Sequence, residues 1–305
     1  RYNIADRAST EFSIGVAMVD ATLNIRWCSD VLNLTQMFEH PTPSKARPTK
    51  MNLTFSTTAC PKALLPEATE FAKKAGFTGI ELFRTWTESS PVHPDWSVPM
   101  VRDHLDEAGL TLTGLNVRNI TGRRADTDER NQGYNIRQVS WDIHLARALR
   151  LKSANTKGGA RTDEAMEDLI EGVNGILDNI EDITLNLGNH AGNRLQGLDD
   201  FKAVLSKVGE RAKVLIDTGH LLTSGEDVMK FAEGVADRVG LVHLRDQKGD
   251  KPVAFGEGDL PFRELIDLLK GAGYDGTLVI EMEKVDWTDP VEATIQAREF
   301  VEGLL

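Results

Sequence analysis

After Lys50, short apolar runs alternate with longer segments whose apolar residues recur at helical spacing, and this order continues to the C-terminus. Short apolar runs bounded by turn residues are typical of buried strands, whereas a period of about 3.6 residues is typical of helices. Strands that are separated by helices run parallel, and helices then cover both faces of the sheet. The pattern therefore predicts an α/β protein with a parallel sheet.

The alternation gives eight strand-then-helix units over residues 51–305. The predicted strands begin at Leu53, Phe77, Leu110, Leu151, Ile183, Val214, Val239 and Thr277. The predicted helices cover residues 63–75, 98–108, 134–149 and 162–179, and then begin near residues 198, 225, 261 and 290. This repeat number and length are typical of a (β/α)8 TIM barrel, a closed parallel sheet with outer helices.

An open, doubly wound sheet is the alternative fold. It is disfavoured because no Gly-x-Gly-x-x-Gly motif opens the first helix. Polar residues also end several consecutive strands, as expected when the strands of a closed barrel point their carboxyl ends at one site.

Residues 1–50 differ from the rest of the chain. They show no sustained helical or strand period, and they end in a proline-rich segment at residues 40–48. We interpret them as an N-terminal appendage outside a TIM-barrel domain at residues 51–305. Two alternatives are open: a non-native or disordered segment upstream of a native start at Met51, or an arm that packs on the barrel.

Composition narrows the class of partner. The chain has a formal net charge of -12, which disfavours nucleic acids and anionic membranes because both are bound through Lys and Arg. A small molecule is the favoured partner.

The two cysteines form no zinc or disulfide pattern, and no apolar run is long enough to cross a membrane, so a cytoplasmic location is expected. The sequence leaves open whether the chain forms a homo-oligomer.

Polar side chains follow the predicted strands where a barrel places its active site. The candidate residues at these ends are Asn116, Lys157, His190, Asp217, His220, His243, Arg245, Glu281 and Lys284. Asp217, His243 and Glu281 come from three successive strands and could meet around one divalent cation. Mixed oxygen and nitrogen ligands suit Mn²⁺, Mg²⁺, Co²⁺ or Zn²⁺.

Several motifs together resemble the xylose isomerase-like TIM barrel family of sugar and sugar-phosphate isomerases and epimerases. The likeness extends from Met51 to the end of the chain. The motifs, in chain order, are Thr57-Thr-Ala-Cys-Pro61, Gly76-Phe-Thr-Gly-Ile-Glu-Leu82, Asp217-Thr-Gly-His220, His243-Leu-Arg-Asp246, Gly256-Glu-Gly-Asp-Leu-Pro-Phe262 and Ile280-Glu281.

The resemblance implies one divalent metal held by a Glu, an Asp, a His and a Glu from strands five to eight. Asp217, His243 and Glu281 match three of these positions, but Gly188 stands where the first Glu is expected. His190 is two residues further along and lies on the same face of an extended strand, so it or a water molecule could fill the place.

The resemblance also implies proton abstraction next to a carbonyl group. Glu281 would be a ligand and the base, and His190 or His220 would handle a hydroxyl proton. Lys157, Arg245, Lys284 and Asn116 would recognise the substrate, a carbohydrate. A metal-dependent isomerase or epimerase is therefore expected.

The sequence leaves two alternative functions open and disfavours a third. Gly188 removes one of the two acid/base groups of the isomerases, which gives weight to a sugar dehydratase or lyase that needs only one base. A non-catalytic sugar-binding or partner barrel with a degenerate metal site is a further alternative. A DNA-repair endonuclease on the same barrel is disfavoured by the acidic charge and by the few histidines at the strand ends.

Overall fold

The computed structural model describes residues 51–121, 132–283 and 287–305. The N-terminal appendage and Lys284 lie outside these residues, so the division at residue 50 stays a prediction. The strands are β1 (Asn52–Ser56), β2 (Gly79–Phe83), β3 (Thr111–Asn116), β4 (Ser153–Lys157), β5 (Thr184–Gly188), β6 (Ala212–Asp217), β7 (Val239–Leu244), β8 (Gln247–Lys248), β9 (Lys251–Pro252) and β10 (Thr277–Ile280).

All of these strands except β8 and β9 form one closed parallel barrel, in the order β1-β10-β7-β6-β5-β4-β3-β2. The α-helices of the described residues are α1 (Leu65–Lys74), α2 (Val98–Ala108), α3 (Gln132–Ala148), α4 (Asp163–Asn179), α5 (Leu198–Leu205), α6 (Thr218–Thr223), α7 (Val228–Val235), α8 (Phe262–Gly271) and α9 (Pro290–Glu302). At least one helix follows each barrel strand. The predicted (β/α)8 TIM barrel is confirmed.

Local sequence signals explain where the helices lie. In α1, Leu65, Ala68 and Ala72 recur at helical spacing and are fully buried against the sheet. Burial of a leucine of this kind contributes about 1.5–3 kcal/mol. The Ser97 hydroxyl accepts a hydrogen bond from an N–H in the first turn of α2, and Gly109 ends that helix with a φ of 71°. A φ of this sign favours glycine because it has no Cβ to clash.

The structure differs from the sequence prediction after β6. The short helix α6, which directly follows Asp217 and contains Gly219, was not among the predicted helices. The Asp217 carboxylate caps this helix by accepting from the His220 N–H at 3.0 Å, which favours helix over turn. The helix expected near Gly225 begins at Val228, because Gly225 has a φ of 69° in the intervening loop. The antiparallel pair β8–β9 was not predicted either.

Alternation along the strands builds the barrel interior in layers. Leu215, Leu241 and Val279 form a separate apolar cluster. Side chains two residues apart on a strand lie on the same face. The three residues that follow this cluster by two positions are Asp217, His243 and Glu281. The polar site therefore lies directly above an apolar floor, at the carboxyl end of the barrel.

In the described part of the chain, none of the helices is both long and apolar enough to cross a membrane.

Candidate metal centre and active site

Asp217, His243 and Glu281 converge at the carboxyl end of the barrel. Each offers one ligand atom, and the three atoms lie within 4.8 Å of one another. Register explains the approach, because Asp217 pairs with His243 across β6 and β7 and Glu281 follows the end of β10. All three side chains are at most 4% exposed. Clustered donors of this kind match the ligand set of a divalent cation.

Glu81 from β2 orients His243. Its carboxylate lies 3.0 Å from His243 Nε2, and both residues are almost completely buried. The Nδ1 atom points toward Glu281 Oε1 at 3.4 Å, and it makes no hydrogen bond with any described residue. Burial lowers the pKa of His243, but the charges of Glu81 and Glu281 outweigh burial and raise the pKa well above its usual value.

Two asparagines hold Glu81 in turn. Asn155 Nδ2 donates to Glu81 Oε1 at 2.8 Å, and Asn186 Nδ2 donates to Asn155 Oδ1 at 2.9 Å. These contacts form a buried polar chain that runs from β5 through β4 and β2 to His243. Each donor in this series of hydrogen bonds fixes the position of the next acceptor. The hydrogen bonds therefore restrict the orientation of the His243 ring.

Arg245 forms ion pairs with the carboxylates of the metal cluster, Asp217 and Glu281. Its Nη2 atom lies 2.8 Å from Glu281 Oε2 and 3.1 Å from Asp217 Oδ2, while Nη1 donates to Glu283. The guanidinium is 4% exposed. Burial raises the pKa of Glu281, but the positive charges of His243 and Arg245 hold it well below its usual value. Arg245 thus neutralises carboxylates that a cation would otherwise bind.

His220 and His190 stack beside this cluster. Their ring centroids are 3.7 Å apart, and His220 Nε2 lies 3.7 Å from Asp217 Oδ2. His190 Nδ1 donates to the Ala191 carbonyl at 2.8 Å. Burial lowers the pKa of His220 to about 3, against the opposing effect of Asp217, so this ring is neutral at physiological pH.

A cavity of about 550 Å³ opens above these residues. Its lining combines the polar strand ends with the exposed ring of Trp86. Lys157 and Asn116 also face the cavity, and Asn116 Nδ2 is a buried donor with no partner among the described residues. A volume of this size is typical of a small-molecule site.

The donor set fits a divalent cation. Metal-binding histidines commonly give their second ring N–H to a carboxylate, and the Glu81–His243 pair has this arrangement. The buried and unbonded Nδ1 of His243 faces the two other ligand residues. Arg245 is the competing feature, since its Nη2 contacts the same two carboxylates.

The structure brings most of the sequence-predicted residues together. Six of them line the cavity: Asn116, Lys157, His190, His220, Arg245 and Glu281. Glu281 also belongs to the metal cluster, together with Asp217 and His243. His190 stacks on His220 and does not belong to the three-residue ligand cluster. Lys284 lies outside the described residues. The assigned roles of all these residues stay predictions.

Sequence reasoning missed Asn155, Asn186 and Trp86. The two asparagines precede Lys157 and Gly188 by two residues on their strands, so strand alternation places them on the inward face. A polar side chain at an inward strand position was therefore the signal for both. Trp86 follows β2 in an irregular segment, where the sequence has no period from which its position could be inferred.

The fold is a TIM barrel that carries a cluster of candidate metal ligands at the carboxyl ends of its strands. A family model described as "Xylose isomerase-like TIM barrel" matches residues 69–304, and the chain belongs to this family. The resemblance inferred from the motifs is thus confirmed.

Two kinds of named relatives have similar sequences. A Streptomyces coelicolor protein provisionally named hydroxypyruvate isomerase is 30% identical over 265 residues, which are 77% of this chain and 90% of that protein. Inosose dehydratase of Clostridium tetani is 27% identical over 164 residues, covering 46% of this chain and 55% of the dehydratase. The chain thus matches only about half the length of this dehydratase.

Solved structures confirm the fold. An L-ribulose 3-epimerase has a TM-score of 0.70 at 17% identity, with 84% of this chain and 94% of the epimerase aligned. The IolI protein with a bound zinc atom has a TM-score of 0.69 at 15% identity, with 83% and 98% aligned. At such low sequence identity, these structural similarities show only that the barrel fold is shared.

Proposed function

We propose that this protein is a divalent-metal-dependent isomerase or epimerase that removes a proton next to the carbonyl group of a sugar or keto-sugar. The observation that carries the proposal is the cluster of Asp217, His243 and Glu281, whose ligand atoms lie within 4.8 Å of one another. The isomerase and epimerase names among its relatives support the reaction class. The zinc in the IolI structure supports a metal.

Asp217, His243 and Glu281 would hold the cation, which could be Mn²⁺, Mg²⁺, Co²⁺ or Zn²⁺. When bound, a divalent cation acts as a Lewis acid that polarises a carbonyl oxygen and lowers the barrier to removing the neighbouring proton. Arg245 Nη2 would leave Asp217 and Glu281 when the cation enters, while Nη1 keeps its bond to Glu283.

The surrounding side chains would handle protons and orient the substrate. Glu281 is ionised at neutral pH and can accept a proton. His220 is neutral and lies with His190 on the cavity wall, where either ring can exchange a proton with a substrate hydroxyl. Asn116 Nδ2 has no partner among the described residues and can donate a hydrogen bond to a substrate oxygen, and the exposed Trp86 ring offers an apolar face for a sugar ring.

A dehydratase or lyase is the second candidate, and Gly188 is the observation that favours it. The glycine lies at the end of β5, beside Lys157, where it supplies no carboxylate to the site. Elimination from a keto-sugar needs one base. Moving a proton between two carbons with a pair of carboxylates needs two acid/base groups. The similarity to inosose dehydratases supports this alternative.

The metal part of the proposal is tested with chelator-treated protein titrated with Mn²⁺ in a calorimeter. Asp217→Asn keeps an oxygen that can cap α6 but removes the charged ligand, so we expect Mn²⁺ binding to be lost. Asp227→Asn is the matched control, because Asp227 caps α7 through an equivalent 3.0 Å hydrogen bond but lies outside the site. Unchanged Mn²⁺ binding by Asp217→Asn would refute the metal site.

The reaction class is tested with Mn²⁺-loaded protein and keto-sugars in D₂O. Incorporation of deuterium at the carbon next to the carbonyl, followed by NMR, reports proton removal. A rearranged sugar identifies an isomerase or epimerase, and a dehydrated product identifies a lyase. If Mn²⁺ binds but no sugar exchanges a proton or reacts, the non-catalytic barrel is favoured.

A further inference from the structure

One cation among the described residues that line the cavity has no carboxylate in direct contact with it. Among the described residues, Lys157 is neither hydrogen-bonded nor paired with an acid within 4.0 Å. The other two cavity cations are paired: Arg245 contacts Asp217, Glu281 and Glu283, and Arg118 lies 3.8 Å from Asp142.

Gly188 shapes the place of this lysine. Lys157 and Gly188 are partners in the register of β4 and β5. A Cβ built on Gly188 would lie 3.4 Å from Lys157 Cγ and 3.6 Å from its Cε, so the lysine side chain extends across the glycine. A carboxylate side chain at position 188 would therefore lie beside the ammonium. With glycine there, that charge is left for another anion.

Asn116 supplies a second donor on the same side of the cavity. It pairs with Asn155 across β3 and β4, and Lys157 lies two residues beyond Asn155 on the same strand face. Strand geometry then separates the Cα atoms of Asn116 and Lys157 by about 8 Å, which both side chains can bridge through one small anion. Asn116 is 9% exposed, and its Nδ2 has no partner among the described residues.

We infer that Lys157 and Asn116 form an anion subsite and that the substrate is a keto-sugar acid, whose carboxylate binds there. This inference rests on the proposed function and narrows its substrate class. A carboxylate has one negative charge and two acceptor oxygens, which match one ammonium and one amide N–H. A phosphate monoester carries about -1.5 to -2 charges and three acceptor oxygens, and it needs more donors than these two residues supply.

The test compares ligands that differ in one group. D-fructose, D-fructuronate and D-fructose 6-phosphate differ only at carbon 6, and dihydroxyacetone and hydroxypyruvate form a smaller neutral and acidic pair. Titration calorimetry with Mn²⁺-loaded protein measures their affinities. We expect an acid to bind about tenfold or more tightly than its neutral partner, the effect of one hydrogen bond between charged groups.

Variants assign the preference to Lys157. Lys157→Met is expected to abolish the preference for the acid over its neutral partner, and Lys157→Arg is expected to retain it. Lys152→Met removes an exposed lysine just before β4 and serves as the control. Titration of wild-type protein in EDTA compares the affinities for the acid and neutral ligands without metal. A preference that remains in EDTA arises from the anion subsite and not from the metal site.

The outcomes are distinguishable. If neither acid binds more tightly than its neutral partner, or if Lys157→Met keeps the preference, the inference is wrong. Tighter binding of fructose 6-phosphate than of fructuronate, lost in Lys157→Met, would overturn the carboxylate assignment in favour of phosphate. Failure of Mn²⁺ to bind, with the preference for acids intact in EDTA, would instead count against the proposed function.

Discussion

His243 and Glu81 face each other inside the barrel, with Nε2 of the histidine 3.0 Å from Oε2 of the glutamate. The two residues are 162 positions apart in the chain. Because the carboxylate binds the Nε2 side of the ring, Nδ1 is the atom turned toward Asp217 and Glu281. The ligand atom of His243 is thus selected by a residue on the opposite side of the barrel.

Glu81→Gln should weaken metal binding without abolishing it. The amide keeps the shape of the side chain but removes the charge that fixes the histidine ring, and losses of this kind cost about 10–100-fold in metal affinity. Mn²⁺ titration of chelator-treated protein measures the change. Glu70→Gln, which removes an exposed carboxylate on α1, is the control. An unchanged affinity in Glu81→Gln would show that Glu81 does not orient His243.

Arg245→Gln should destabilise the metal-free protein. The guanidinium is buried among Asp217, Glu281 and Glu283, and removing one partner of a buried ion pair costs about 3–5 kcal/mol. Urea unfolding in EDTA measures this loss. Added Mn²⁺ should recover part of it, because a cation would neutralise two of the same carboxylates.

Arg150→Gln is the control for this prediction. Arg150→Gln breaks an exposed pair with Asp106 and should change stability by less than about 1 kcal/mol. Equal destabilisation of Arg245→Gln in EDTA and in Mn²⁺ would contradict competition between the guanidinium and the cation.

Glycine-to-alanine changes in α4 should have opposite effects at two positions. A Cβ at Gly172 would lie 2.8 Å from Ile120 Cγ2, so Gly172→Ala overpacks the interface and should cost about 1–3 kcal/mol. A Cβ at Gly175 meets no atom within 4 Å, so Gly175→Ala should stabilise the helix by about 0.5–1 kcal/mol. Urea unfolding of both variants checks the difference. The same sign for both would contradict the packing of α4.

Cys60 should react slowly with thiol reagents in the folded protein. Burial, with a smaller effect of Glu67, raises the pKa of its thiol from 9.0 to about 12. Since the thiolate is the reactive form, its fraction at pH 8 falls about a thousandfold. Alkylation of a Cys28→Ser variant by iodoacetamide isolates this cysteine, and the same protein in urea gives the reference rate. Equal rates in both conditions would contradict the raised pKa of the Cys60 thiol.

The strand and helix order could be predicted because its signals are local. Apolar runs and helical spacing depend on neighbouring residues, and so do the glycine at the end of α2 and the polar residues at the strand ends. Errors arose where a side chain competed with local preference. Helix α6 was not predicted, and it forms directly after Asp217 because the Asp217 carboxylate caps it.

The sequence by itself determined that Asp217, His243 and Glu281 end neighbouring strands of a barrel, since strand period and chain order suffice for that. Only the tertiary structure decided what surrounds them. Closure of the barrel brings Glu81 to His243 and lays Arg245 across the carboxylates. Their positions depend on side chains that are far apart in the chain, and no local pattern encodes the distances between strands that meet only when the sheet closes.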